Sequence, residues 1–503
     1  MSFISLNFLL FFPIVTALYF AIPYQYRWLL LLAASCYFYM AFIPAYIFIL
    51  GFTILIDFFA GLLIEGAHGK RRKLLLTVSL VSNIGVLFIF KYFNFFNDNL
   101  NELARAIHWN YSFEGLSILL PIGLSFHTFQ AMSYTIEIYR GNTKAERHLG
   151  YFALYVLFYP QLVAGPIERP QNLLPQFFEK HDFDYQRVTD GLKLMAWGFF
   201  KKIVIADRLA VAVNVVYLAP QKYSGIPLII ATYFFAFQIY CDFSGYTDIA
   251  RGAAKVMGFN LMKNFDRPYF STSVAEFWTR WHISLSTWFK DYLFTPLARW
   301  HNARKPAAEK RAAAPISRIA NHWVRYFDIY VVFLISGLWH GANWTFLIWG
   351  ALHGTYLVMS LVTKSSRTKI IKSIGLNQFP LLLRFLRVFV VFNLVSFAWI
   401  FFRAQNVKDA FHVATHLFAG INLAELFGPI LEKQLGVLMP DLLIALFLIV
   451  ILESVQFVVD NGGGARSING KPTWARWAAY YALIVAIISL GEYQSPQFIY
   501  FQF

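Results

Sequence analysis

Charged side chains are scarce in this sequence. Only 14% of its 503 residues are Asp, Glu, Lys or Arg, whereas about a quarter of an average globular domain is charged. Apolar residues make up 58% of the chain and come in long blocks, and no charged residue occurs between Asp328 and Lys364. This composition excludes an ordinary soluble enzyme and indicates a polytopic membrane protein.

Cysteine is almost absent, with only Cys36 and Cys241 in the chain. Both lie in apolar surroundings, so we expect two small buried side chains rather than a disulfide. The sequence also lacks the Cys and His spacing that is typical of zinc ligands. We therefore expect neither a metal nor a bound cofactor.

Acidic residues are fewer than basic ones, 27 against 43, which gives a net charge of +16. A basic excess can bind nucleic acid, but cytoplasmic loops of membrane proteins are also rich in Lys and Arg. Because no soluble domain is evident, we expect membrane lipid and not nucleic acid as the partner.

The apolar blocks predict an all-α, polytopic helical membrane protein. Spans of roughly 20 residues give about 11 to 13 membrane elements, some of them re-entrant or broken. We expect one transmembrane domain over residues 1–503 and no separate soluble domain.

Lys and Arg in the short loops predict the orientation. The segments His68–Lys73 and Arg140–Arg147 are strongly basic, whereas the only Lys or Arg in Asn97–Gly115 is Arg105. We therefore expect Lys70–Lys73 and the second basic segment to be cytoplasmic, Asn97–Gly115 to be an extracytoplasmic loop, and the N-terminus to lie outside. The basic segment 304–311 should also be cytoplasmic.

The apolar run Ile329–Leu361 has basic residues on both sides, up to Arg325 and from Lys364 to Lys372. A single crossing would put one basic loop outside. We therefore expect the helix to break near Gly341–Asn343 and turn back, because irregular backbone at membrane depth is tolerated where it lines a cavity. That break would place His340 at the inner end of a cavity. A single long, tilted helix is the alternative.

His340 is a titratable ring deep in this apolar run, so it needs a local partner or a function. Neutral imidazole accepts a hydroxyl proton at physiological pH, and burial keeps it neutral. His340 is therefore a candidate general base. A structural histidine that binds a neighbouring carbonyl is the alternative.

A second polar segment begins with SVAE (Ser273–Glu276), a capping box that starts a helix. We expect this helix to continue to Phe294, which would align Trp278, His282 and Ser286 on one face.

Charged residues also lie near the ends of apolar blocks. We expect Asp242 and Asp248 to pair with a Lys or Arg, and Lys201 and Lys202 to extend to the inner surface.

Several long motifs now occur together and in order. They are GLWHGANWTFLIWGALHG (Gly337–Gly354), EFWTRWHISLSTWFKDYLF (Glu276–Phe294), PIGLSFHTFQAMSYTIEIYRG (Pro121–Gly141), PQLVAGPIERP (Pro160–Pro170), FFKKIVIAD (Phe199–Asp207), QIYCDFSGYTDIARG (Gln238–Gly252) and a terminal FIYFQF. With these motifs the chain resembles the membrane-bound O-acyltransferases, the MBOAT family, and within it the bacterial subgroup similar to alginate O-acetyltransferases.

The resemblance implies a fold in which helices surround a central tunnel. It also implies the activity of a membrane O-acyltransferase, and more specifically of an O-acetyltransferase. It implies a cytoplasmic acyl thioester donor, such as acetyl-CoA, and an acceptor hydroxyl on an exopolysaccharide or cell-wall glycan. It also implies the bacterial inner membrane and a periplasmic acyltransferase partner. His340 matches the family's catalytic histidine, and His282 matches the histidine of its second signature, which faces the same tunnel.

Five further residues are candidates for the substrate tunnel or the oxyanion site: Asn343, Trp339, Trp344, His127 and Gln130. The Asn343 amide could donate to an oxyanion, although capping of a helix explains it equally well. Packing is the alternative for the other four.

Two other functions stay open at this point. A D-alanyl transferase of teichoic acids, which takes its acyl group from a carrier protein, would share the same reaction class. A membrane transporter would have paired interrupted helices in two related halves, and the sequence suggests only one such break.

Overall fold

The computed structural model describes residues 1–109, 111, 113–117, 120–303, 315–422, 428–458, 470–493 and 498–499, with backbone alone for 315–322. Regular structure within these residues is helical, and they contain no strand. The predicted all-α class is therefore confirmed.

The α-helices follow one another along the chain in this order: α1 (Leu6–Ala21), α2 (Tyr24–Met40), α3 (Tyr46–Gly66), α4 (Gly69–Leu87), α5 (Phe93–Ala106), α6 (Leu124–Arg140), α7 (Leu149–Leu157), α8 (Tyr159–Leu162), α9 (Pro170–Leu173), α10 (Tyr185–Phe199), α11 (Asp207–Leu218), α12 (Ile226–Met257), α13 (Val274–Arg280), α14 (Ile283–Phe289), α15 (Thr295–Ala303), α16 (Pro315–His340), α17 (Trp344–Val362), α18 (Lys364–Ser373), α19 (Pro380–Arg403), α20 (Val407–His416), α21 (Pro429–Leu435), α22 (Met439–Val458) and α23 (Thr473–Leu490). Shorter π-helical segments are Phe88–Tyr92, Phe200–Ala206 and Lys290–Phe294.

Seven helices among the described residues are long and apolar enough to cross a membrane: α3, the continuous run Gly69–Ala106, α12, α17, α19, α22 and α23. Helix α1 is apolar but shorter, with 16 residues. These helices confirm the prediction of a polytopic membrane protein. The expected total of about 11 to 13 elements, which includes broken and re-entrant ones, stays a prediction.

The chain divides into two compact units. One comprises Met1–Phe199 and Phe243–Lys263, and the other comprises Phe200–Asp242 and Asn264–Phe503. The single domain over residues 1–503 stays a prediction. Cys36 and Cys241 are both free. The expected burial is confirmed for Cys241 and is wrong for Cys36, which is half-buried.

In the first unit, the two basic loops lie at the same end of a bundle of α3, α4 and α6. The Arg72 guanidinium donates a hydrogen bond to the carbonyl of Ile138, at 3.0 Å, near the end of α6. Arg147 forms an ion pair with Glu65 at the end of α3. The two loops thus lie at one end of this bundle, and their cytoplasmic location stays a prediction.

The structure does not confirm the predictions for two other segments, Asn97–Gly115 and 304–311. The expected loop at Asn97–Gly115 is wrong in its first half, because α5 continues to Ala106 and its residue Asn97 donates to the carbonyl of Phe113 at 3.0 Å. The polar side chains of α5 thus bond the chain that folds back over it. The basic segment 304–311 lies outside the described residues.

A buried polar cluster joins α3, α4 and α6. The Asp57 carboxylate accepts hydrogen bonds from Ser79 Oγ at 2.6 Å and from Asn83 Nδ2 at 2.9 and 3.0 Å. Ser79 also contacts Thr135 Oγ1 at 3.0 Å. Polar groups buried among apolar helices need such partners, so this cluster fixes how the three helices pack.

The second unit contains a buried ion triad. Lys202 Nζ lies 2.7 Å from Asp207 and 2.5 Å from Asp242, and each of the three residues is at most 3% exposed. Burial alone would lower the pKa of Lys202, but the two carboxylates raise it above its usual value. The predicted pairing of Asp242 is confirmed. The predicted pairing of Asp248 is also confirmed, because this residue, in the first unit, pairs with Arg251 at 3.6 Å.

The expected extension of Lys201 and Lys202 to the inner surface is wrong, because both side chains are buried, at 4% and 2% exposed. They lie in the π-helical segment Phe200–Ala206. Lys202 therefore points at the two carboxylates rather than at water.

Candidate active site

Helices α16 and α17 form a tight antiparallel hairpin. Helix α16 ends at His340 and α17 begins at Trp344. A Cβ added at Gly337 would lie 2.2 Å from the carbonyl oxygen of Phe346, so only glycine allows the two backbones to come this close. The predicted break and reversal of the chain are confirmed, and the single tilted helix is wrong.

Asn343 holds the turn of this hairpin. Its Oδ1 accepts the N–H of Thr345 at 3.0 Å, which makes it the N-cap of α17. Its Nδ2 donates to the carbonyl oxygen of Gln405 at 2.9 Å. One N–H of the amide remains beyond these contacts, so the predicted oxyanion role depends on that hydrogen and stays a prediction.

His340 is enclosed by aromatic rings and is only 4% exposed. The centroid of its imidazole lies 4.9 Å from that of Trp339, 5.0 Å from that of Trp349 and 5.2 Å from that of Phe402, with all three rings edge to face. Such contacts hold a ring in one orientation and keep water away from it.

The second signature begins as predicted. Ser273 is the N-cap of α13, and its Oγ accepts the N–H of Glu276 at 3.1 Å. The Glu276 carboxylate returns to Thr272, where it accepts the N–H at 2.8 Å and the hydroxyl at 2.7 Å.

The continuous helix predicted up to Phe294 is wrong, because the chain breaks before His282. There the Arg280 carbonyl accepts the N–H of Asp266 at 2.8 Å, and the Ile283 N–H donates to Asn264 at 2.9 Å. A neighbouring loop thus takes the hydrogen bonds that a continuing helix would use. His282 has a left-handed backbone, with φ of +43°, which is uncommon for a residue other than glycine.

The break directs His282 into the protein interior, where it is fully buried. Its ring lies 6.4 Å from that of Phe265 and 6.2 Å from that of Trp339, centroid to centroid. His282 is outside the seven candidate spans, and burial lowers its pKa to about 3. Its imidazole is therefore neutral at physiological pH.

Trp339 contacts both histidines. Its centroid lies 6.2 Å from that of His282 and 4.9 Å from that of His340. The distance between the two imidazole centroids cannot exceed the sum of these two distances. The expected proximity of His282 and His340 is therefore confirmed. Their chemical roles stay predictions.

A cavity of about 340 Å³ lies between α13, α14 and α16. It is lined mainly by apolar side chains of α14 and α16, such as Leu285, Phe289 and Val332. Its polar lining includes Ser286 and Ser336, each four residues from a histidine. Neither histidine lines the cavity itself.

Of the other predicted site residues, two tryptophans lie next to the hairpin turn and two polar residues lie in the first unit. Trp339 is buried, at 4% exposed, whereas Trp344 is 52% exposed. His127 and Gln130 belong to the first unit. There His127 Nε2 lies 2.5 Å from Thr53 Oγ1, and Gln130 Nε2 donates to the carbonyl of Tyr155 at 2.5 Å. Bonds between helices account for both, and a substrate role for them stays a prediction.

His353, on α17, is a buried histidine that the sequence did not single out. It is 0% exposed, and its ring centroid lies 4.9 Å from that of Trp349, which also contacts His340. A second histidine in the same uncharged run was the available signal. Among the described residues, no group of three or more His, Cys, Asp or Glu side chains could hold a metal.

Comparison of the sequence with known proteins identifies the family of this chain. The model of MBOAT, the membrane-bound O-acyltransferase family, matches residues 145–308. A protein described as a probable alginate O-acetylase AlgI, from Azotobacter vinelandii, is 37% identical over 82% of this chain and 76% of its own length. The chain belongs to the MBOAT family.

Two further relatives agree with this assignment. A probable alginate O-acetylase AlgI of Pseudomonas putida is 34% identical over 98% of both chains. The peptidoglycan O-acetyltransferase of Helicobacter pylori is 32% identical over 79% of this chain and 75% of its own length. The predicted function of a membrane O-acyltransferase is therefore confirmed, and neither the D-alanyl transferase nor the transporter alternative is favoured.

Proposed function

We propose that this MBOAT protein takes an acetyl group from a cytoplasmic thioester and passes it across a bacterial inner membrane to a glycan hydroxyl. His340 is the general base, and His282 orients the acceptor. One observation supports this proposal above the others. The two family histidines meet at Trp339, and the cavity between α14 and α16 is lined by Ser286 and Ser336, each four residues along the chain from one of these histidines.

The cavity suits the acyl end of a thioester donor. Its volume of about 340 Å³ and its apolar wall would take a thin, uncharged arm that ends in an acetyl group. Lys290 lies on the wall and is exposed. A cation there would attract the phosphates of a donor such as acetyl-CoA.

The reaction needs two proton transfers and the exchange of a C–S bond for a C–O bond. The acceptor oxygen attacks the thioester carbonyl carbon, and the His340 imidazole takes the hydroxyl proton as the new C–O bond forms. The C–S bond then breaks, and the proton moves from imidazolium to the departing thiolate. The aromatic walls of Trp339, Trp349 and Phe402 exclude water, which would otherwise hydrolyse the thioester.

The names of the relatives support the choice of acceptor, because they describe O-acetyl transfer for alginate and for peptidoglycan. We therefore propose that the acceptor is an exopolysaccharide or a cell-wall glycan. We also propose a periplasmic acyltransferase as a partner of this protein.

The test measures polymer-bound acetyl groups in cells that express His340→Gln or His340→Ala, with membrane abundance followed by immunoblot. Gln keeps the size and the hydrogen-bonding capacity of the side chain but cannot take a proton. General-base assistance is worth about a hundredfold to ten-thousandfold, so acetylation should fall at least a hundredfold.

His416→Gln is the matched control, because His416 is an exposed histidine at the end of α20. It should acetylate at the normal rate. Normal abundance and near wild-type acetylation in His340→Gln would show that His340 is a packing residue, and the proposal would fail.

A further inference from the structure

The side chain of His353 makes one hydrogen bond in a shell of aromatic rings. Its Nδ1 accepts the N–H of Trp278 Nε1 at 3.3 Å. An indole nitrogen only donates, so Nδ1 holds the lone pair and the ring proton of neutral His353 lies on Nε2. That second nitrogen is buried and has no hydrogen-bond partner among the described residues.

Packing alone does not explain a histidine at this position. The rings around it include those of Phe277, Trp278, Phe333 and Trp349, with centroids 4.9 to 6.3 Å away. A phenylalanine would fill this space without leaving a polar nitrogen unsatisfied. The property that a phenylalanine lacks is the acceptor for Trp278.

Trp278 and Trp349 connect this hydrogen bond to the candidate active site. Trp278 lines the cavity and meets Trp349 edge to face, with centroids 5.7 Å apart. Trp349 lies between His353 and His340, at 4.9 and 5.0 Å. A rotation of the Trp278 ring would therefore change both the cavity wall and the packing of the His340 imidazole.

We propose that His353 is a positioning residue for acyl transfer: it fixes the Trp278 indole as one wall of the acyl cavity and, through Trp349, fixes the ring of His340. This inference rests on the proposed function, in which the cavity takes the acyl end of the donor. His353 itself touches neither substrate nor the reacting atoms.

The first experiment follows thiol release from acetyl-CoA by membranes that contain each variant. His353→Phe removes the acceptor and should lower kcat by roughly 10- to 100-fold, the scale expected when a reacting group is displaced by about 1 Å. His353→Asn places an amide oxygen near the position of Nδ1 and should recover most of that loss. A residue that is only structural would not be rescued by the smaller side chain.

A double-mutant cycle tests whether the effect passes through the indole. Trp278→Phe removes the donor, so adding His353→Phe to it should lower kcat by less than twofold more. Multiplicative losses in the double variant, or equal losses in His353→Phe and His353→Asn, would overturn the inference.

A final measurement separates this inference from the proposed function. In a Cys36→Ser background, the rate at which Ser336→Cys reacts with N-ethylmaleimide reports on the cavity without any acyl donor. His353→Phe should change this rate severalfold, and His353→Asn should leave it within twofold. If wild-type membranes release no thiol from acetyl-CoA, the proposed donor is wrong, while an unchanged labelling rate in His353→Phe contradicts the role of His353.

Discussion

The side chain of Asn343 donates a hydrogen bond to the backbone carbonyl of Gln405, with 2.9 Å between nitrogen and oxygen. This bond ties the turn after His340 to the C-terminal end of α19. Helix α19 has 24 residues and is therefore about 36 Å long, and its other end follows the basic helix Lys364–Ser373. The turn after His340 and the basic helix thus lie at opposite ends of α19.

This relationship predicts the sidedness of the second unit. If the basic helix is cytoplasmic, the turn faces outward. Single cysteines at Gln405 and Lys369, in a Cys36→Ser background, can be treated with an impermeant maleimide on intact spheroplasts. Gln405→Cys should react, and Lys369→Cys should react only after lysis. The reverse pattern would mean that the loop charges have been misinterpreted.

Asn343 variants distinguish a turn residue from an oxyanion donor. Aspartate is as good an N-cap as asparagine, whereas alanine loses about 1 kcal/mol. Asn343→Asp keeps the N-cap but loses the hydrogen bond to the Gln405 carbonyl, so we expect both variants to lower the melting temperature and Asn343→Asp to lose less than tenfold in acetylation. A loss of a hundredfold or more in Asn343→Asp at normal abundance would instead assign the remaining N–H to the oxyanion.

The close crossing of the hairpin makes two glycines of α17 unequal. A Cβ on Gly350 would lie 2.3 Å from the carbonyl oxygen of Phe333, whereas one on Gly354 would have its nearest neighbour, Tyr330, at 3.4 Å. Gly350→Ala should therefore cost about 1–3 kcal/mol through overpacking and reduce acetylation. Gly354→Ala is the matched control and should stay near wild type. Equal thermal stability of the two purified variants would contradict the observed hairpin.

Burial of His282 predicts a dependence of stability on pH. An unfolded histidine titrates near 6.5, and burial lowers the pKa of His282 to about 3 in the folded protein. Between these values the unfolded chain binds more protons, so stability is complete above about pH 6.5 and falls as the pH is lowered towards 3.

His282→Gln should reduce this acid sensitivity. The measurement is the melting temperature in detergent at pH 7.5 and pH 5, for wild type and variant. The wild type should lose more on acidification than the variant does. An identical loss in both would show that His282 does not contribute to it.

The ion triad predicts a strong effect of a single lysine. Lys202→Met would leave two carboxylates, Asp207 and Asp242, buried without a cation, and breaking a buried pair costs about 3–5 kcal/mol. We expect little folded protein in the membrane. Lys222→Met, which removes an exposed lysine of the same unit, should be neutral, and normal yield of Lys202→Met would contradict the triad.

The hairpin could be predicted because its signals are local. Basic residues on both sides of one apolar run conflict with a single crossing, and Gly341 and Asn343 lie where the chain turns. The proximity of His282 and His340 required the family motifs as well. Neither spacing nor periodicity brings two segments almost sixty residues apart to the same tryptophan.

The break at His282 could not be predicted, because its cause is distant in sequence. The capping box and the apolar spacing both favour one helix up to Phe294. The interruption comes from backbone hydrogen bonds to Asn264 and Asp266. The same applies to Lys202, whose long side chain suggests a surface position until its two carboxylates are seen beside it.

The position of His340 at the end of α16 has a consequence for how such enzymes diverge. The side chains that line the cavity on this helix, such as Val332 and Ser336, precede the histidine, whereas the turn and its contact with Gln405 follow it. If the cavity takes the acyl group, as proposed, a change in acyl length requires substitutions only in the stretch before the histidine. The turn and its bond to Gln405 can then stay as they are while the transferred group changes.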